Sequence, residues 1–330
     1  MRRLALIGVC AALVFGSTNA AQAAFPGRNG KIVFVRQTYG PGGTLDVSPA
    51  IYVVNPDYTG LTALTDPAQG AFDSSPAWSP DGKRIAFVRL VQGVPSFAEA
   101  HELFVMNADG SGVRRLTHNT VYDDHPAWSP DGKWIAFARQ DRASAKLGDV
   151  NFDIWVVRAS GTGARRLTKS RDDEVEPAWS PDGKRIAFLA DDPNAAGGRI
   201  VAMQTDGTHR RLVARVPLTG STPGEAYSLQ RPSWSPDGRR IAFVGAAGIL
   251  TVRADGSGSV VLPTGLHPSW SPDGKSLTFV RFDSQSSIGR IYVMEADGKN
   301  LRALTSAQYP LDDREPDWGP LTTKPGPTSP

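Results

Sequence analysis

Five copies of Trp-Ser-Pro-Asp-Gly, at Trp78–Gly82, Trp128–Gly132, Trp179–Gly183, Trp234–Gly238 and Trp270–Gly274, constrain this chain more than any other feature. Each has Pro two residues before the Trp and an apolar run such as Ile-Ala-Phe-Val after the Gly. A second module follows, seen as Leu-Phe-Val-Met from Leu103 and Ile-Tyr-Val-Met from Ile291, and ends in Asp-Gly or an equivalent. A third, Arg-Arg-Leu-Thr at Arg114 and Arg165 and its variants at Arg210 and Arg302, closes the unit. Pro fits the second position of a tight turn and Gly accepts positive φ, so Ser-Pro-Asp-Gly separates two strands. The apolar runs are too short for helices and rich in β-branched and aromatic residues. Each unit therefore reads as four short antiparallel strands. Four-stranded units recurring every 36–55 residues are blades of a β-propeller.

The blade count follows from the chain ends. Asn29-Gly30-Lys31 and the following Ile-Val-Phe-Val match the middle of a unit, but no Trp precedes them. The missing first strand stands at the other end, as Glu315-Pro316-Asp317-Trp318-Gly319-Pro320. The expected fold is all-β: a six-bladed propeller of four-stranded blades, its ring closed by a composite N-/C-terminal blade over residues 24–320. Residues 321–330, rich in Pro, are expected to form a disordered tail.

Over residues 26–320 this repeat resembles the TolB-like six-bladed propellers. The resemblance implies an exported, non-enzymatic propeller that docks a protein or cell-envelope partner. Two departures bear on it. TolB proteins carry an α/β domain before the propeller, and here a strand follows the leader directly. Prolyl-oligopeptidase-like enzymes place a hydrolase domain beside a similar propeller, but no Gly-x-Ser-x-Gly elbow is present.

Residues 1–23 have the three parts of a signal peptide: Arg2 and Arg3, an apolar stretch from Leu4 to Phe15, and Ala21-Gln22-Ala23 as a cleavage site. A dozen apolar residues are too few to span a bilayer, which takes about 20. The only cysteine, Cys10, lies in that leader, so thiol catalysis, disulfides and cysteine metal sites are not expected in the exported protein. The expectation is a monomer in the periplasm or outside the cell. The formal charge of +3 falls to about +1 without the leader arginines, which argues against nucleic acid as a partner.

The blades serve as their own comparison. Side chains that recur are expected to be structural: the tryptophans as core, and the cation after each Asp-Gly as a solvated face beside turn acids such as Asp109, Asp206 and Asp297. The acids three residues before the first-strand Pro (Asp313, Asp73, Asp123 and Glu174) are expected to hold turns through backbone hydrogen bonds. The residue just before that Pro differs in nearly every blade: Ser75, His125, Glu176, Arg231, His267 and Glu315. First strands line a propeller axis, so these six are expected at one open channel mouth, as a site for a partner or ligand. Within them His125, Glu176, His267 and Glu315 are candidate ligands for a divalent metal. The same mouth collects unequal loops, at 37–50, 90–102, 140–152, 191–198, 214–231 and 283–289, with Tyr39, Phe97, Tyr122 and Tyr227 as aromatic handles. Gly42-Gly43 and Gly197-Gly198 read as flexible turns. Two alternatives to partner docking are a metal-assisted lyase or hydrolase on a sugar or lactone, and a small-ligand sensor. No sialidase-type Asp box is present.

Overall fold

The computed structural model describes residues 25–39, 45–67, 71–91, 100–141, 151–191, 197–217, 231–282, 288–306 and 311–322. They form six four-stranded antiparallel sheets, with no helix among the described residues. Blade 1 is β4 (Asp73–Trp78), β5 (Arg84–Val91), β6 (Ala100–Asn107) and β7 (Arg114–Arg115). Blade 2 is β8 (Asp123–Trp128), β9 (Trp134–Gln140), β10 (Phe152–Arg158) and β11 (Arg165–Arg166). Blade 3 is β12 (Glu174–Trp179), β13 (Arg185–Asp191), β14 (Gly197–Gln204) and β15 (Arg211–Pro217). Blade 4 is β16 (Ser233–Trp234), β17 (Arg240–Gly245), β18 (Gly248–Arg253) and β19 (Val260–Val261). Blade 5 is β20 (Leu266–Trp270), β21 (Ser276–Phe282), β22 (Gly289–Glu295) and β23 (Arg302–Ala303). Blade 6 is composite, in the order β24 (Leu311–Pro320), β1 (Asn29–Tyr39), β2 (Leu45–Val54) and β3 (Thr62–Ala63).

The repeat shapes each blade through one turn network. In blade 1 Ser79 Oγ donates to Asp81 Oδ1 at 2.6 Å and accepts from Arg84 N at 2.9 Å. Asp81 Oδ1 also accepts from Lys83 N at 3.1 Å, and Gly82 sits at φ 65°. Four further blades repeat these bonds with Asp131, Asp182, Asp237 and Asp273. The six tryptophans of the first strands are all buried. Trp128 Nε1 donates to Ala77 O of the preceding blade at 3.1 Å, and Trp234 does the same to Ala178 O at 3.2 Å. Arg84 and Arg185 lie over Trp128 and Trp234. One ring thus seals two blades.

Closure explains why blade 6 departs from the motif. β24 pairs with β1 from Asn29↔Pro320 to Thr38↔Leu311. Its Gly319 replaces the usual Ser because a Cβ there would lie 2.5 Å from the ring of Trp78 in blade 1. Gly30 faces the backbone of Pro320, where a Cβ would lie 2.4 Å from the carbonyl oxygen. The two chain ends therefore meet at closer than side-chain distance.

Three expectations need correction. Gly197 and Gly198 are not a turn but the first residues of β14, paired with Pro217 and Val216. Residues 214–217, expected in a loop, extend β15 to seven residues, whereas the fourth strands of the other blades have two. The tail begins after its expected boundary, because Leu321 N donates to Arg28 O at 2.7 Å. Only Ala246 and Ala247 link β17 to β18, flanked by the Gly245↔Gly248 pair. The leader, Phe97, Tyr227, Gly42-Gly43 and most of the unequal loops lie outside the described residues.

Candidate functional site at the propeller axis

Five of the six first strands carry a bulge at the axis; β16 of blade 4 is only two residues long and has none. Pairing with the second strand shifts register between Ser74 and Ala77, Asp124 and Ala127, Val175 and Ala178, and Leu266 and Ser269. At the crest Ser75, His125, Glu176, His267 and Glu315 take φ of 51–56°. Positive φ is rare outside Gly, and a bulge re-aims its side chain. Five non-glycine residues held there show that the backbone repeats while the side chain is free to vary.

The structure places these six residues at the axis but not on an open, hydrated mouth. Ser75, Glu176 and Arg231 are fully buried, and His125, the most accessible, is 8% exposed. Several of the crest residues are bonded from blade to blade. Glu315 Oε2 accepts from Ser75 N at 2.7 Å, and Glu176 Oε2 accepts from Arg231 N at 2.7 Å. Arg231 then crosses from blade 4 to blade 6, donating through Nη1 to Pro316 O at 3.3 Å. Its charge interacts with Asp317, Glu315 and Glu176.

Two further carboxylates belong to this cluster. Asp124 Oδ1 accepts from Ser75 Oγ at 3.0 Å and from His125 N at 2.6 Å. Asp317 accepts from Trp78 N at 2.9 Å in blade 1 and from Ser269 Oγ at 3.0 Å in blade 5. Asp317 thus ties blade 6 to both neighbours. Its signal was visible: the residue between Pro and Trp is Ala or Ser in the other five blades and Asp only here. Comparing that position around the ring would have found it, as would Asp124 one place before His125.

Burial controls the electrostatics. Desolvation lowers His125 to about 3, with Arg231 adding repulsion, so the ring is neutral. Glu176 is pushed up to about 8 and Glu315 to about 7, again by burial, only partly offset by the N–H donors they accept and by Arg231. Burial also raises Asp317 and carries Asp124 well above the usual carboxylate range. Several polar atoms here have no hydrogen-bond partner: both ring nitrogens of His125, Glu176 Oε1, and Nε and Nη2 of Arg231. Buried polar groups without partners are costly.

The metal candidates fit less well. Among the described residues no three His, Cys, Asp or Glu side chains come together to hold a metal ion. His125, Glu176, His267 and Glu315 stand on four different strands, and the cation nearest their carboxylates is Arg231 itself.

The recurring acids are structural for a reason other than turn formation. Arg36, Arg89 and Arg139 of the second strands each grip Asp313, Asp73 and Asp123 with two nitrogens, at 2.6–2.8 Å. Each guanidinium also lies over the second-strand aromatic, Phe34, Phe87 or Phe137. In blade 3 the second strand offers Ala190 opposite Glu174, so the longer acid reaches outward to Arg210 over Phe188. The cations after Asp-Gly are exposed as expected, yet Lys133 and Arg239 pair with Asp131 and Asp237 of their own turns, at 3.6 and 4.0 Å.

The sequence profile of the TolB beta propeller domain matches residues 48–147 and 143–322. This chain belongs to the TolB β-propeller family. A TolB homologue of Chlorobium luteolum is 32% identical over 246 residues, which cover 74% of this chain and 51% of that protein. The Tol-Pal system protein TolB of Francisella tularensis is 30% identical over 229 residues, covering 65% of this chain and 48% of the relative. The chain spans about half the length of these curated relatives. The crystal structure of TolB from Acinetobacter baumannii superposes with a TM-score of 0.68 at 22% identity, over 88% of this chain and 67% of that one. No helix among the described residues is long and apolar enough to cross a membrane.

Proposed function

We propose that this TolB-family propeller is exported and docks a protein of the cell envelope on the face where the five bulges and Arg231 converge. The observation that carries the reading is the set of buried, partnerless polar atoms on His125, Glu176 and Arg231. A partner inserting one polar side chain at the axis would satisfy them, and the surrounding rim would supply contact area. The TolB relatives of the Tol-Pal system support a protein as the occupant. The leader at residues 1–23 supports export, and intact-mass analysis of the exported protein should show a chain beginning near Ala24.

A photo-crosslinking residue at His118 or Thr120, exposed on this face, should capture one envelope protein in stoichiometric yield. The same group at Asp297, on the opposite face, should capture none of it. Glu176→Gln, which keeps the shape of the neutral acid but puts an amide nitrogen where the partnerless Oε1 stands, should reduce capture at Thr120 without lowering thermal stability. Equal capture from both faces, or capture indifferent to Glu176→Gln, would overturn the reading.

A further inference from the structure

The opposite face carries the uniform Ser-Pro-Asp-Gly turns, and adjacent blades leave clefts between them. Five positions line each cleft equivalently: the start of the second strand and of the fourth strand in one blade, then two residues after Asp-Gly and the end of the third strand in the next. Strand register fixes the equivalence, since Arg114 pairs with Val105 as Arg211 pairs with Ala202 and Val260 with Thr251. Between blades 3 and 4 the five are Arg185, Arg211, Arg239, Arg240 and Arg253. Between blades 1 and 2 they are Arg84, Arg114, Lys133, Trp134 and Arg158; between blades 4 and 5 they are Arg240, Val260, Lys275, Ser276 and Glu295. Only one cleft is arginine at every place among these three.

The acids in that cleft do not cancel the charge. Asp237 recurs in every full repeat as a turn residue and Asp255 in all but blade 2, where Ser160 stands, and each is held by its own turn: Asp237 by Ser235 Oγ at 2.6 Å and Asp255 by Ser257 Oγ at 2.7 Å. Asp237 also pairs with Arg239 at 4.0 Å, so five guanidiniums face two carboxylates and three positive charges remain in excess. Arg211, Arg239 and Arg253 are exposed, while Arg185 is fixed by stacking on Trp234, 4.8 Å from the ring. In the cleft between blades 1 and 2 Trp134 fills the corresponding space, with Arg158 and Arg165 laid over its ring. Between blades 3 and 4 Arg240 stands there instead, and the cleft encloses about 650 Å³. A contiguous cleft of about 710 Å³ shares Arg185 and Arg211. That volume suits a small ligand.

We propose that the cleft between blades 3 and 4 binds a small polyanion, a ligand with two or more phosphate or carboxylate groups. Guanidinium forks match both groups in planar, two-point contact, which ammonium groups do not. The site lies away from the axis and does not depend on partner docking.

Isothermal titration of the whole protein with tripolyphosphate and, separately, with citrate tests the proposal and tells the two anion classes apart. At least one should bind with one-to-one stoichiometry. Arg239→Ala with Arg253→Ala, both exposed and outside the core, should weaken it by about tenfold or more. Lys133→Ala with Arg158→Ala, the equivalent pair between blades 1 and 2, should leave it unchanged. No binding of either anion at millimolar concentration would overturn the proposal. So would equal weakening by both double variants, since that would reflect net charge and not a site.

Discussion

The two ends of each first strand obey different rules. At the tight-turn end Ser, Pro, Asp and Gly recur, and so do their hydrogen bonds, to within 0.2 Å for the Ser–Asp contact in five blades. At the axis end the backbone recurs just as closely, with φ of 51–56° at five crests, but the side chains there are serine, histidine and glutamate, and the sixth position holds Arg231. A position that served only to bend the strand would accept Gly without strain. Here none is Gly. The comparison separates what builds a blade from what the ring presents at its centre.

The sharpest way to break this comparison is to remove a strand that has both ends. Truncation before Leu311 deletes β24, exposes β1 as an edge and removes Trp318, Asp317 and Glu315 together. We expect loss of the cooperative thermal transition, followed by circular dichroism. Trimming residues 323–330 should leave the melting temperature unchanged, because Leu321 and Thr322 still cover the closure. A smaller effect comes from Trp128→Ala at the repeating end, which should cost about 3–5 kcal/mol in denaturant unfolding through lost packing.

Next in size are the ion pairs behind the bulge. Asp123→Ala would leave Arg139, 16% exposed, without its carboxylate. Breaking a buried pair costs about 3–5 kcal/mol, and we expect the lower end because Arg139 still stacks on Phe137 and Trp155. Glu174→Ala should cost less, since Arg210 is 38% exposed and can rehydrate. Equal losses at the two sites, measured by urea unfolding, would show that burial of the arginine does not set the cost.

Most of the fold was legible because the constraint is repeated. Trp78 to Trp318, the six blades and the composite closure all follow from one motif read several times. The exceptions are informative. Gly197-Gly198 looks like a turn in isolation but pairs with the long β15, a partner that only blade 3 has. The channel residues were legible as a set, since difference at a repeated position is visible in one sequence. Their burial was not, because it depends on convergence of six strands that no single repeat records. Asp317 escaped because its role is to bond Trp78 and Ser269, which are far away along the chain.

The smallest expected effect isolates the axis end alone. Glu176 and Glu315 have folded values of about 8 and 7, above an ordinary value of 4.5. A raised carboxyl favours the folded state while it stays protonated, and that contribution is lost as pH rises through the folded value. His125, held at about 3, acts in the opposite sense, losing stability as pH falls below 6.5. Above pH 6.5 the folded histidine is neutral and the unfolded one loses only its last half proton, so Glu176, Glu315 and the raised carboxyls of Asp124 and Asp317 around Arg231 govern the slope. Stability should therefore fall between pH 6.5 and 8, the two glutamates lowering it by about 2–3 kcal/mol, counting about 1.4 kcal/mol for each unit of pH over which one group titrates. Glu176→Gln with Glu315→Gln keeps the amide shape of the protonated acid and should flatten most of that fall, leaving the share of the two aspartates. Urea unfolding at pH 6.5 and pH 8 reads the difference directly. A slope unchanged in the double variant would mean that these two carboxyls are already ionised at the axis, with Arg231 outweighing their burial.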